Sequence, residues 1–321
     1  MTKKLANAGL IAARESSTLG ELVDSFIKLR TGDVKPRTMA KYTGVRKHLI
    51  DHFGENRPLK SLTVADAKEF RAFLINKNLS ENTVRKVCGV SKTFLNLGID
   101  KELLLKNPFE GVPSAFVATR VRHYYVTPAE IEQVIAQCPD DEWKLIIALA
   151  RYGGLRTPSE TFALTWDDIC WEKDRFYVRS PKTERYAGKE GRVVPIFPEL
   201  RPYLYKCAET AEDGAQQVIT KHRPNSHNLR TRFHRIITQA GLVPWQKVFQ
   251  NLRSSRETEL LEQFPIQTVV SWLGNSPQVA LQSYLLVRET DFEKAVKSDA
   301  TGAADHVELG RTKGDSVKVA N

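Results

Sequence analysis

Apolar residues in the first hundred positions recur at helical spacing. Leu19, Leu22, Val23, Phe26 and Ile27 form a stripe after Ser17 or Thr18 as cap, and GDVKP at 32–36 breaks it. The pattern returns over about 37–53. It resumes after Leu62-Thr63 with Ala65, Phe70, Phe73 and Leu74. From Ser80 a fourth helix is expected, with Val84, Val87, Cys88 and Leu95 on its core face and Arg85 and Lys92 on another. Residues 103–113 close the segment, and SAFVATRVRHYYVTP reads as a basic connection ending in a Thr127-Pro128 cap. These changes predict a flexible lead over 1–15, a helical domain over 16–113, a linker over 114–124, a second domain over 125–297 and a disordered tail over 298–321.

In the second domain, helix is predicted over 128–137 and over 143–152, the latter apolar on nearly every side and stopped by Gly153-Gly154. Period-2 alternation follows. RFYVRS and GRVVPI predict two strands of a small antiparallel sheet, joined by a Lys- and Gly-rich hairpin with Lys182 at its base. Helix is expected again over 198–206, over 229–240 and from Phe249, with a polar loop at 211–227. FPIQTVVSWLGNSPQVALQSYLLV (264–287) predicts two short helices folded back at Gly274, with Ser276 and Pro277 restarting the chain and Tyr284 about two turns in. A last short helix is expected at 291–296. The fold class is therefore two-domain: an all-α domain, then a mostly helical α+β domain with a small antiparallel sheet.

Charge sharpens this picture. The net charge of +10 points to a polyanionic partner, and its distribution is uneven. Residues 1–120 hold 21 Lys and Arg against 12 Asp and Glu, and the remainder 27 against 26. A basic lobe beside a near-neutral one favours a clamp on nucleic acid over uniform solubility charge. The cysteines Cys88, Cys138, Cys170 and Cys207 form no Cys-x-x-Cys pair and read as reduced thiols of a cytoplasmic protein, with no metal site. No apolar run reaches membrane-spanning length, so no membrane association is expected.

Five short stretches stand in order: GGLRTPSE at 153–160, SPKTER at 180–185, QNLRSSRETEL at 250–260, LGNS at 273–276, and Tyr284. Arg253 precedes Tyr284 by 31 residues and Asn275 precedes it by 9. Together they resemble the tyrosine recombinase (phage integrase) family, whose active site combines arginine, lysine, His-x-x-Arg, His or Trp, and tyrosine. The resemblance covers roughly residues 16–297. It implies a SAM-like core-binding domain, a recombinase catalytic domain, and Arg156, Lys182, Gln250, Arg253, Asn275 and Tyr284 as catalytic positions. It also implies double-stranded DNA as partner, with Lys41, Arg46, Arg85 and Lys92 as candidate phosphate contacts, and a homo-oligomer (tetramer) on paired sites.

The implied reaction needs no metal, nucleotide or other cofactor. The tyrosine hydroxyl attacks a phosphodiester, forms a 3′-phosphotyrosyl link and releases a 5′-hydroxyl; a second strand's 5′-hydroxyl reverses the step. Two guanidiniums suit the charge growing on the non-bridging oxygens, and a lysine of lowered pKa suits protonation of the leaving oxygen. Glu160 is expected to orient Arg156. Two positions depart from the family pattern: Gln250 stands for histidine, and Asn275 for histidine or tryptophan. Both amides donate hydrogen bonds, and neither titrates near neutral pH. His222, His227 and His234 are expected at the surface, and HNLR at 227–230 is a literal His-x-x-Arg too far upstream, 54 residues from Tyr284. Two other functions remain open: a recombinase-fold DNA-binding protein with reduced or no catalysis, and a nicking-closing enzyme that relaxes supercoils with the same tyrosine chemistry.

Overall fold

Capping residues fix where the amino-terminal helices begin. In the computed structural model, which describes residues 17–117, 123–180, 190–223 and 228–283 (the last three by backbone alone), α1 spans Leu19–Arg30. Thr18 and Glu21 close a reciprocal capping box at its start. α2 (Pro36–Phe53) opens on Pro36, where a proline's missing N–H is harmless. A second capping box, Thr63 with Asp66, starts α3 (Val64–Asn76), and α4 runs Glu81–Asp100. Residues up to Val117 form one structural unit. Its core joins Leu19, Val23, Leu49, Phe70, Leu74, Val84, Phe94 and Leu95, with the Phe26 and Phe94 rings 4.9 Å apart. Burial corrects one expectation: Ala67, not Ala65, lies under α3, because it stands three residues before Phe70 and seven before Leu74. Val117 is strapped back onto α4 by two hydrogen bonds with Asn82 (2.8 and 2.9 Å).

The second unit starts at residue 118. α5 (Pro128–Ala136) is capped by Thr127, and α6 (Asp141–Arg151) by Asp140, whose side chain accepts from Trp143 N. From Leu145 to Ala150 every residue of α6 is apolar and buried, and Arg151 is buried with them. The sheet has the order β1 (Ile169–Cys170), β2 (Arg175–Arg179), β3 (Gly191–Pro195), antiparallel throughout, with Phe176 opposite Val194. Phe176, Val178, Arg192 and Val194 face inward. α7 begins at Arg201 rather than near 198, and a turn at Phe197–Leu200, closed by Leu200 N on Phe197 O (2.9 Å), precedes it.

α8 (Leu229–Gln239), α9 (Val248–Leu261), α10 (Ile266–Leu273) and α11 (Pro277–Ser283) complete the described chain. α9 packs against α6, α8 and α10, and α10 lies on β3. The chain reverses at Gly274 in the left-handed conformation (φ 69°), and Ser276 Oγ caps α11 through Val279 N, both as expected. No described helix is long and apolar enough to cross a membrane. The predicted lead over 1–15, the helix at 291–296 and the tail at 298–321 lie outside the described residues.

Candidate active site

α9 is a polar helix held almost wholly in the interior. Arg253, Ser254, Ser255, Arg256, Glu257 and Thr258 are all buried, so each polar group needs a partner. Ser254, Ser255 and Thr258 bond back to the carbonyls four residues earlier, at 2.8–3.1 Å. Arg256 pairs with Glu199 at 3.0 and 3.2 Å and reaches the Tyr152 carbonyl at 3.1 Å. At the far end Glu259 accepts both Arg151, a buried ion pair, and Tyr125 Oη at 2.8 Å.

Arg156 follows α6 after a turn at Gly153-Gly154. Gly154 is left-handed (φ 65°), and a Cβ there would stand 2.3 Å from Leu273 Cδ2, so only glycine lets the end of α10 rest on this turn. α10 leaves its last carbonyls unpaired and carries negative partial charge at that end. Three arginines meet them in register. Arg192 Nε donates to Trp272 O (2.6 Å), Arg253 Nη2 to Leu273 O, and Arg156 Nη2 to Gly274 O (2.5 Å). Arg253 also donates to Gly154 O. The carboxylate of Glu160 joins two of them: Oε1 and Oε2 accept from Arg156 (2.5 Å to Nη1, 2.8 Å to the backbone N) and from Arg192 (3.0 and 2.7 Å). Glu160 thus orients Arg156, as expected from the sequence.

Next to this cation cluster sits Asn275, whose Nδ2 donates to Glu257 Oε1 at 2.7 Å. Two acids of one site are driven apart. Burial pushes Glu160 up, but the hydrogen-bonded Arg192 and the charges of Arg192, Arg156 and Arg253 outweigh it and hold the carboxyl at about 2. Burial raises Glu257 above the ordinary carboxyl range, against the Asn275 hydrogen bond and the charges of Arg253 and Arg156. One carboxyl is held towards its anion, and the other is shifted towards its neutral form.

Residues 125–290, half of the chain, match the model of the phage integrase family, and residues 18–117 match that of the phage integrase SAM-like domain. The chain belongs to the phage integrase family. It is 26% identical, over 84% of its length and 78% of the relative's, to a XerC-like tyrosine recombinase of Caldanaerobacter subterraneus subsp. tengcongensis. A prophage integrase of Escherichia coli K12, IntR, is 22% identical over 77% of the chain and 64% of the relative. Among solved structures, the integrase of the transposon Tn1549 with a circular-intermediate DNA aligns with a TM-score of 0.71 at 19% identity, covering 89% of this chain and all of that one. The lambda integrase tetramer on a Holliday junction aligns at 0.67 and 20% identity, over 83% and 77%. The two-domain, mostly helical fold with its three-stranded antiparallel sheet is that of these integrases.

In this integrase-family chain the structure gathers Arg156, Arg253 and Asn275 around the end of α10. Gln250 lies on α9 one turn before Arg253 and is exposed. Lys182, between β2 and β3, and Tyr284, one residue beyond α11, lie outside the described residues. His222 corrects an expectation: it is buried, 2.8 Å from Asp140. The neighbouring Glu142 carboxylate collects the backbone N–H groups of Thr220, Lys221 and His222, which pulls that loop in. This cluster is at the start of α6, a helix length of about 16 Å from its Arg156 end. His234 is half-buried, and Arg230 of the HNLR stretch is exposed; His227 is outside the described residues.

In the amino-terminal unit Arg46 is committed to Asp24 (2.6 and 2.9 Å) and Glu55 (2.7 Å), and Arg85 to Glu81 (2.7 Å) and Ala115 O (3.2 Å). Lys41 and Lys92 are half-buried; burial and then the charge of Lys86 lower the Lys41 ammonium. Arg192 was missed from sequence. The signal available was period-2 alternation, which puts Arg192 on the inward face with Val194.

Proposed function

We propose that this chain is a site-specific DNA recombinase or integrase that cleaves and rejoins double-stranded DNA through a 3′-phosphotyrosyl intermediate, with Tyr284 as nucleophile. The convergence of Arg156 and Arg253 on adjacent carbonyls, Leu273 and Gly274, beside Asn275 carries this reading. A guanidinium has five N–H donors, so Arg156, with a third of its side chain exposed, keeps donors for a phosphate oxygen while Glu160 holds its orientation. Arg253 stabilises the second oxygen, and Asn275 and Gln250 supply amide hydrogen bonds where relatives of the family use ring nitrogens. Tyr284 Oη attacks phosphorus as the P–O5′ bond breaks; the tyrosine proton passes to water, and Lys182 protonates the departing 5′-oxygen. Tyr152 is a poor rival nucleophile, since burial pushes its hydroxyl up to about 12.

Strand exchange needs four such sites, so the chain acts as a tetramer on paired DNA sites, in the cytoplasm. The domain limits 16–113 and 125–297 are proposed as a DNA clamp, the basic amino-terminal unit holding phosphates through Lys41 and Lys92 and, after release of their internal partners, Arg46 and Arg85. The test is single-turnover cleavage of a suicide substrate. Wild type forms a covalent adduct unaffected by EDTA, and Arg156→Ala slows it by about 10²–10³ while DNA affinity persists. Tight DNA binding with no adduct at any pH from neutral to alkaline would instead assign a DNA-binding protein without strand transfer.

A further inference from the structure

The proposed phosphate site contains a carboxyl that its chemistry leaves unused. Glu257, one turn beyond Arg253 on α9, is 0% exposed. Its Oε1 accepts Asn275 Nδ2 at 2.7 Å. Its Oε2 and the Asn275 Oδ1 are both buried and have no hydrogen-bond partner among the described residues. Two buried acceptors that lack a described donor, in one carboxyl–amide pair, are costly.

One proton removes both defects. A carboxylic acid carries a donor and an acceptor, as does a primary amide, so the two groups can close a ring of two hydrogen bonds. We propose that Glu257 is a positioning residue that works as a neutral acid. Its Oε2–H donates to Asn275 Oδ1 while Asn275 Nδ2 donates one hydrogen to Oε1, which leaves the second Nδ2 hydrogen aimed at a phosphate oxygen. This rests on the assignment of Arg156, Arg253 and Asn275 to a phosphate site. Burial favours the neutral form. It acts against the Asn275 hydrogen bond and the charges of Arg253, from its own helix, and Arg156, from the turn after α6, all of which favour the anion, while Arg192 of β3 is paired with Glu160. The phosphodiester, an anion, adds to the preference for a neutral acid. The site thereby recovers through an acid–amide pair the fixed donor that Asn275 alone, free to rotate, would present loosely.

The deciding measurement is the carbon-13 signal of the Glu257 side-chain carboxyl in the full-length protein, assigned by its loss in Glu257→Gln. At pH 6 it should show the protonated-carboxyl shift, where an ordinary glutamate of pKa about 4.3 is ionised. An ionised signal at pH 6 overturns the proposal. In single-turnover cleavage, Glu257→Ala should lose about tenfold, the worth of one misplaced hydrogen bond. The loss should vanish in an Asn275→Ala background. Glu257→Gln, which can close the same ring, should recover most of the rate and lack any decline that the wild type shows as Glu257 ionises at higher pH. Additive losses in the double variant, or a Gln variant as slow as the Ala variant, would make Glu257 a structural residue only. If the wild type forms no adduct, the recombinase assignment fails, while the carboxyl signal still decides the state of the pair.

Discussion

Glu160 carries two guanidiniums on one buried carboxylate, and the site depends on it more than on any histidine. Its carboxyl is held at about 2, below the ordinary value of about 4.3. Its contribution is therefore full above about pH 4.3 and is lost as pH falls towards 2. Glu160→Ala, which strands Arg192 and Arg156, should cost about 3–5 kcal/mol in denaturant unfolding at neutral pH. Glu160→Gln should flatten the decline in stability between about pH 4.5 and 2; an unchanged acid profile would contradict the role. For the amides, Asn275→Ala and Gln250→Ala should each slow cleavage, and Gln250→His should be tolerated or faster; wild-type rates in both alanine variants would remove both residues from the site. Arg156, Glu160 and Arg253 were legible in the sequence because short motifs carry them. Arg192 was not, because an inward arginine makes sense only once Glu160 and the Trp272 carbonyl are folded beside it.

At the scale of elements, helix positions and the two main strands follow from local periodicity and caps, whereas the burial of α9 does not. Its sequence, VFQNLRSSRETELL, has no strong apolar stripe. It is buried because its partners come from elsewhere in the chain: Arg151, Tyr125 and Glu199. The same non-local cause drew His222 inside. Arg151→Ala leaves the Glu259 carboxylate with only Tyr125 Oη at 2.8 Å and the more distant Arg256 at 3.6 Å; at a cost of about 3 kcal/mol it should lower the melting temperature of the second unit by about ten degrees. Gly154→Ala is expected to displace α10 and the Leu273 and Gly274 carbonyls with it. Cleavage should then fall further than stability; a fully active Gly154→Ala protein would show that this contact does not position the arginines.

Across the whole molecule, a basic helical unit precedes a near-neutral one that holds the candidate site. If the first unit is half of a clamp, a fragment of about residues 125–297 should bind DNA much more weakly than the full chain. Its salt dependence should also be shallower, because the slope of log K against log salt scales as about 0.9 per phosphate neutralised. Equal affinity and slope would remove the amino-terminal unit from the interface. The order of the units was legible from charge and pattern. In the proposed reaction Tyr284 becomes covalently joined to DNA. A nicked suicide substrate incubated with the full-length protein, followed by proteolysis and mapping of the DNA-linked peptide, tests it directly. A phosphotyrosyl link at Tyr284, absent in Tyr284→Phe although DNA is still bound, is the predicted result. A link at Tyr152 or Tyr186, or an adduct that survives in Tyr284→Phe, would contradict it.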